Sequence, residues 1–384
     1  MMKKALFQFS KWFVGILFIF SGLIKANDPL GFGYKLQEYF EVFHISFLNG
    51  WATGIAVLLC VLEIVFGALL LLGIFRNFVV KGLLATIIFF TFLTFVSAAF
   101  KVVTSCGCFG DAIPLTPWQS FSKDVVLLLL IVYIYINRTL IKPITEKPAV
   151  QSSLFAAVFA ASLLFGTFTY NFLPIIDFLP YKVGSNIPEN MKIPEGAPVD
   201  EYLIMYDLKN KKTGETQTMS DKDYMSKEVW KDENWEVIGS PSRELVKKGY
   251  DVKIKDLMIT DASGTDYTKE IVENPYYSLV VVAYNLSETN ENAIAEANAL
   301  ALNAAEQFNI RTVLLTSNSA QDAEKFSKKM KLFMEVFYAD AVPLKSMVRA
   351  NPGVLLLKNG TIVNKWHYHS LPSFEEFTEK YFAK

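Results

Sequence analysis

The chain has 384 residues, 52% of them hydrophobic, and a mean hydropathy of +0.28, which excludes a protein that is water-soluble throughout. Its formal net charge is −1, and no basic face of the kind that nucleic acid requires is indicated. The charge is unevenly split: Lys and Arg number 12 against 8 Asp and Glu through residue 180, and 25 against 30 beyond it.

Continuous apolar stretches run from about Trp12 to Ile24, Trp51 to Phe75, Phe78 to Phe100, Phe121 to Ile136 and Ser153 to Ile176, mostly long enough to cross about 30 Å of hydrocarbon as helices. Five spans are predicted, the first and fourth the shortest. The opening segment has a basic start and an apolar centre but no small-x-small cleavage site after it, so an uncleaved first span is expected. Lys3, Lys4 and Lys11 precede span one, Arg76 and Lys81 lie between spans two and three, and Arg138, Lys142 and Lys147 lie between four and five. The opposite loops hold Lys25, Lys35, Lys101 and Lys123. Cations near span ends resist translocation, so the first set marks the cytoplasmic side. The segment TSCGCFGD at 104–111 then faces outward, and an odd number of spans puts residues 181–384 on that same side. The expected location is a bacterial inner membrane, with the lipid bilayer around the spans and the C-terminal part in the periplasm.

Cys106 and Cys108 stand one glycine apart. A disulfide between positions i and i+2 closes only if the backbone bends tightly, and Gly107 removes the Cβ that would obstruct the bend. Such a bridge is strained, hence more oxidising than a relaxed one, and an outward loop gives a substrate thiolate room to attack. Outside the cytoplasmic membrane disulfides persist, and the interface position could also let the pair meet a lipid-soluble quinone. The alternative is a static bridge or an unpaired pair that only shapes the loop before the helix near Trp118. No metal site is expected, because zinc prefers four N or S ligands and His44 is the only other soft donor on that face of the membrane half.

These residues resemble a known family. SCGCFGD between spans three and four, FIFSGLIKANDP ending span one (Ser21, Gly22, Lys25, Asp28, Pro29) and LEIVFGALLLLG in span two (Glu63, Gly67, Gly73) are similar to the DoxX/MauE family over roughly residues 5–140. The resemblance implies a four-helix membrane bundle tied to redox work: disulfide formation in methylamine dehydrogenase maturation for MauE-type members, quinone-linked oxidoreductases for DoxX-type members. A fifth span and a large outer domain depart from that pattern, so the family's own substrate does not carry over. Glu63 falls near the middle of span two, where a carboxylate is costly unless protonated, paired or facing water. With Cys60 on the same helical face and Lys25 able to approach from span one, it is a candidate catalytic group in a proton relay near a quinone pocket; a neutral Glu63 holding the bundle by an interhelical hydrogen bond is the alternative.

Beyond residue 180 the pattern alternates. Residues 202–219 read as a hairpin, followed by strands near 256–260, 278–285 and 312–316, helices at 291–308 and 319–330, the segment 334–340, a short helix near 342–349, a hairpin at 353–366 turning at Asn359-Gly360, and a last helix from Pro372. βαβ units closed by an antiparallel pair predict a thioredoxin-like sandwich. Pro352, preceded by Asn351, occupies the place where such domains keep a cis-proline, so the two are candidate partner-binding residues, or else serve only the turn. Where such domains carry Cys-x-x-Cys this chain has NLSETNENA, and no cysteine follows Cys108; Ser287 and Thr289 could cap a helix but cannot exchange disulfides. His367 and His369 are expected to be solvated on one face of an edge hairpin.

The predicted organisation is a DoxX/MauE-like four-helix domain at 1–140, a linker and fifth span at 141–180, a β-rich extension at 181–254 and a degenerate thioredoxin-like domain at 255–384. The expected function is electron transfer between an envelope thiol or disulfide protein and the membrane quinone pool through Cys106 and Cys108, with the outer domain docking the partner. A membrane-anchored scaffold with structural cysteines is the rival.

Overall fold

The computed structural model describes residues 2–103 and 109–383, without the side chain of Met2. Five helices are long and apolar enough to span a membrane: α1 (Met2–Asn27), α3 (Ala52–Leu72), α4 (Arg76–Phe100), α5 (Pro117–Ile136) and α6 (Pro148–Asn171), with α2 (Pro29–Val42) inserted after the first. α1 is far longer than its apolar stretch, because Lys3, Lys4 and Lys11 continue the same helix without interrupting its backbone hydrogen bonds. α2 was not expected, although its signal is ordinary: the Asp28 side chain accepts from Gly31 N at 2.9 Å and Pro29 follows at the first helical position.

Glycine sets the tightest helix contact. A Cβ on Gly67 of α3 would lie 2.7 Å from Gly15 O and 3.0 Å from Ile19 N of α1, and one on Gly22 would lie 3.0 Å from Cys60 O. Without a hydrophobic drive between helices in lipid, such backbone approach is what gains packing energy. α3 ends at Gly73, whose φ of 73° is left-handed and whose missing Cβ makes room for Lys142 O. Ile144 N donates to Leu72 O at 3.0 Å and Tyr133 OH to Lys3 O at 3.2 Å, so the three cation-rich segments gather at one end of the bundle. α6 packs loosely, burying Ser162, Gly166 and Thr169.

The chain divides into two compact units, Met1–Ser185 with Leu257–Lys384, and Asn186–Asp256. The second holds α7 (Ile187–Met191), α8 (Asp221–Ser226) and an antiparallel sheet in which β1 (Glu201–Asn210) pairs with β2 (Thr216–Ser220), β3 (Trp235–Val237) and β4 (Ser242–Lys247).

Within the first unit the C-terminal part is an α/β domain: α9 (Thr268–Val272), β5 (Tyr277–Val282), α10 (Glu291–Phe308), β6 (Arg311–Thr316), α11 (Ala320–Met330), β7 (Glu335–Tyr338), α12 (Ala341–Met347), β8 (Gly353–Lys358), β9 (Thr361–His367) and α13 (Phe374–Tyr381). The sheet order is β7-β6-β5-β8-β9, with β5, β6 and β7 parallel and β8 and β9 antiparallel. Leu279, Val281, Leu314 and Leu356 meet Ile294, Ala297 and Ala301 of α10 and Phe377 of α13 in one core, while Val280, Val282 and Leu355 are buried as well, so the central strands read as unbroken apolar runs. The strand expected near 256–260 is reduced to bridges from Thr260 to Tyr338 and Asp266. Asn290, not Ser287 or Thr289, caps α10, accepting from Ala293 N at 3.1 Å.

Substituting Gly67→Ala is expected to destabilise the bundle by about 1–3 kcal/mol, the cost of overpacking, whereas Gly54→Ala, where a Cβ meets nothing within 4 Å, should change stability by less than about 0.5 kcal/mol. Thermal unfolding in detergent micelles compares the two.

Candidate functional site

Cys106 and Cys108 lie outside the described residues, but both flanks of their segment are well anchored. Before it, Val103 is buried with Tyr39 and Leu93, and Tyr39 shares a hydrogen bond of 2.7 Å with Ser97. After it, Phe109 is buried against Phe20 at 5.8 Å, with Lys123 Nζ at 5.3 Å from its ring centre. Asp111, two residues on, meets the C-terminal domain.

That meeting is made by Arg349, just past α12. Its Nε donates to Asp28 Oδ2 at 2.8 Å, its Nη2 to Asp111 Oδ2 at 3.3 Å and its Nη1 to Lys345 O at 2.6 Å. One guanidinium, 6% exposed, thus ties the cap of α2 and the segment that follows Cys108 to the C-terminal domain. Burial by itself would lower the Arg349 pKa; Asp28, through charge and hydrogen bond, and then Asp111 outweigh it and the net direction is upward. Burial likewise pushes Asp111 up, against the pull of Arg349. Beside this bridge Tyr34 and Tyr284 share a hydrogen bond of 2.8 Å, and Lys345 Nζ lies 4.5 Å and 5.6 Å from their ring centres. Asn27 exchanges two hydrogen bonds with Ile176, at 2.7 Å and 3.0 Å, and Lys365 pairs with Asp177. Together these surround a cleft of about 350 Å³ whose walls include Asp28, Tyr34, Lys35, Asp111, Lys345 and Arg349.

Asn351 and Pro352 lie at the domain end that faces the bundle, joined by a cis peptide. Both are used inside the chain: Asn351 Nδ2 donates to Asn285 O at 2.8 Å, Asn290 N donates to Asn351 O at 3.3 Å, and Pro352 is buried. Glu63 is buried in α3, where Lys25 of α1 pairs with it and Cys60 lies one turn away, also buried. The structure therefore brings Lys25 to Glu63 as the sequence suggested; the cavity they line has a volume of about 20 Å³, room for a single water and not for a quinone ring. Arg349, Asp28 and Asp111 were missed as a group. Asp28 had appeared in the family motif, but nothing in the sequence joins it to residue 349. No group of three or more metal-type donors occurs among the described residues.

The expectation of solvated histidines is corrected for His367, whereas His369 is exposed as expected. His367 is 3% exposed at the end of β9, its Nδ1 accepts from His369 N at 3.1 Å, and the His369 ring bonds Asn171 O at 2.7 Å. Both rings pack on Phe172, because the end of α6 covers this edge of the sheet. Burial, then the neighbouring His369, lower the His367 pKa to about 4. An unfolded chain then binds a proton that the folded one refuses, so this contribution is complete above pH about 6.5 and lost as pH falls to about 4, at about 1.4 kcal/mol per pH unit. Melting temperature followed over that window should fall with acid, and His367→Gln should flatten the slope.

Comparison with known proteins covers the membrane part. Residues 3–137 match the profile of the family described as Methylamine utilisation protein MauE, a region that takes in α2, four of the five spans and the Cys106–Cys108 segment. Protein TlpB of Flavobacterium psychrophilum is 27% identical over 127 residues, which is 32% of this chain and 34% of that protein; the chain thus spans about a third of the length of the curated relative it matches. No solved structure matches the chain. The match bears on the MauE side of the resemblance and not on the DoxX side, nor on the C-terminal domain. Residues 3–137 are thus similar to the MauE family, in a chain with five helices long and apolar enough to cross a membrane among the described residues, which continues into an α/β domain.

Proposed function

We propose that this protein exchanges disulfides at the outer face of a bacterial inner membrane through Cys106 and Cys108, with a thiol-free, thioredoxin-like domain held over that segment to receive the partner. The observation that carries this reading is the Arg349 bridge. Asp111 stands three residues after Cys108, and Phe109 adjoins Cys108 in the chain, so connectivity alone keeps the thiols within a few residues' reach of the docked domain, about 3.8 Å per residue. The loop of Asn351 and Pro352, the part that would face substrate in a thiol-bearing relative, follows two residues after Arg349, which bonds Asp28 and Asp111 of the membrane half. The family match also supports a MauE-type role, and the described cleft gives a partner polypeptide room beside Asp111.

The exchange is written between thiols only. A partner thiolate attacks one sulfur of the oxidised pair, forming a mixed disulfide and releasing the other sulfur as thiolate. A second partner thiolate then attacks the partner sulfur of that mixed disulfide, so the partner leaves oxidised and Cys106 and Cys108 are reduced. Because the cavity at Glu63 does not fit a quinone ring, no step is routed through one. Arg349 ties Asp28 to Asp111, three residues after Cys108, and Lys345 gives the cleft a further cation.

With the full chain in lipid nanodiscs and reduced thioredoxin as the probe partner, Cys106→Ser and Cys108→Ser should each abolish disulfide transfer. Arg349→Gln should slow it about tenfold while the pair remains able to titrate. If alkylation finds the wild-type pair in one state under reductant and oxidant alike, the protein is an anchored binding domain with structural cysteines and the redox reading fails.

A further inference from the structure

The water-sized cavity inside the bundle is bounded by an unusual set of groups for the middle of a membrane domain: Lys25 of α1, Glu63 of α3, Lys123 and Asp124 of α5, Phe90 of α4, and Phe109. Charged side chains within spans are costly and persist where they pair or carry ions and protons. Here the pairing is incomplete. Lys25 takes Glu63 Oε1, while Glu63 Oε2 is buried with no hydrogen-bond partner. Asp124, 1% exposed, accepts from Lys123 Nζ at 2.5 Å and from Thr94 Oγ1 at 3.0 Å. Lys123 itself is 22% exposed and touches Phe109, so the second pair reaches from the cavity toward the end of the bundle where the C-terminal domain sits. Among the described residues Cys60 and Asp28 are further ionisable neighbours, α6 carries no Asp, Glu, Lys, Arg, His or Cys, and α4 carries only Arg76 and Lys81, both in its first turns.

A buried carboxylate oxygen without a donor costs several kcal/mol, roughly, in a medium without water. Two occupants relieve that cost at Glu63 Oε2, a water or a proton, and the volume admits one water. We infer that the cavity is a proton-exchange site, in which a single water joins Glu63 Oε2 to the Lys123–Asp124 pair. The proton on Glu63 passes to the water oxygen, and the water gives one of its own protons to the Asp124 carboxylate. Lys123, Asp124's partner at the rim, opens that path to the outside. Only O–H bonds break and form and no electron moves, so the site operates whether or not Cys106 and Cys108 exchange disulfides. If they do, Phe109, the neighbour of Cys108 in the chain, lines this cavity, so protons released by the thiols have an acceptor site close in sequence.

The test is infrared spectroscopy of the full chain in lipid nanodiscs, following carboxyl bands through a pH step and transfer into D2O. The expected result is a protonated-carboxyl band that Glu63→Gln removes, and whose deuterium exchange is slowed at least tenfold by Leu127→Phe, which fills the cavity while leaving every charge in place. Lys123→Met, with folding checked by thermal unfolding because it removes the cation beside buried Asp124, should slow it similarly. Two results overturn the inference: no carboxyl band sensitive to Glu63→Gln at any pH, which means Glu63 stays ionised beside Lys25, or an exchange rate that neither variant changes.

Discussion

A guanidinium removed from water needs negative partners, and Arg349 has them only where the C-terminal domain meets the membrane domain. Losing one partner of a buried, hydrogen-bonded ion pair costs on the order of 3–5 kcal/mol, so the docked arrangement is held by a group that would be left stranded if the domain lifted. Asp28 serves twice, capping α2 and accepting from Arg349. Beside the same bridge Tyr284 shares a hydrogen bond with Tyr34, and Lys345 lies over both rings.

The membrane domain obeys a different economy. In lipid the apolar faces gain nothing by meeting each other, and packing depends on how close the backbones come. Gly15, Gly22 and Gly67 bring α1 and α3 together, which in turn delivers Lys25 to Glu63. A wider α1–α3 spacing would leave two charges apart in hydrocarbon, so the glycines and the ion pair are one device. The residues quoted from the family motif at the end of span one and in span two, Gly22, Lys25, Asp28, Glu63, Gly67 and Gly73, each have such a structural task here.

The division of labour follows. Cys106 and Cys108 fall in the membrane half of the sequence, and the C-terminal α/β domain has no cysteine. Its helix α10 begins at an Asn cap with Glu291 in the first turn, which stabilises the helix but offers no nucleophile. Its loop at Asn351 and Pro352 is tied to Asn285 and Asn290 and turned to the bundle.

Spans, strand order and the isolation of Cys106 and Cys108 were legible in the sequence because they depend on local facts: apolar length, the period of alternation, a Gly-rich turn, the presence or absence of a sulfur. Even α2 carried a readable Asp-Pro start. The pairing of Glu63 with Lys25 could be anticipated because a mid-span carboxylate demands a partner and few cations lie at its depth. What tertiary structure alone decided was the use of Arg349, the burial of His367, and the joining of Lys123 and Asp124 to the cavity at Glu63. Those depend on contacts between residues up to 321 positions apart, and a surface arginine and a buried one look the same in a sequence until the chain is folded around them.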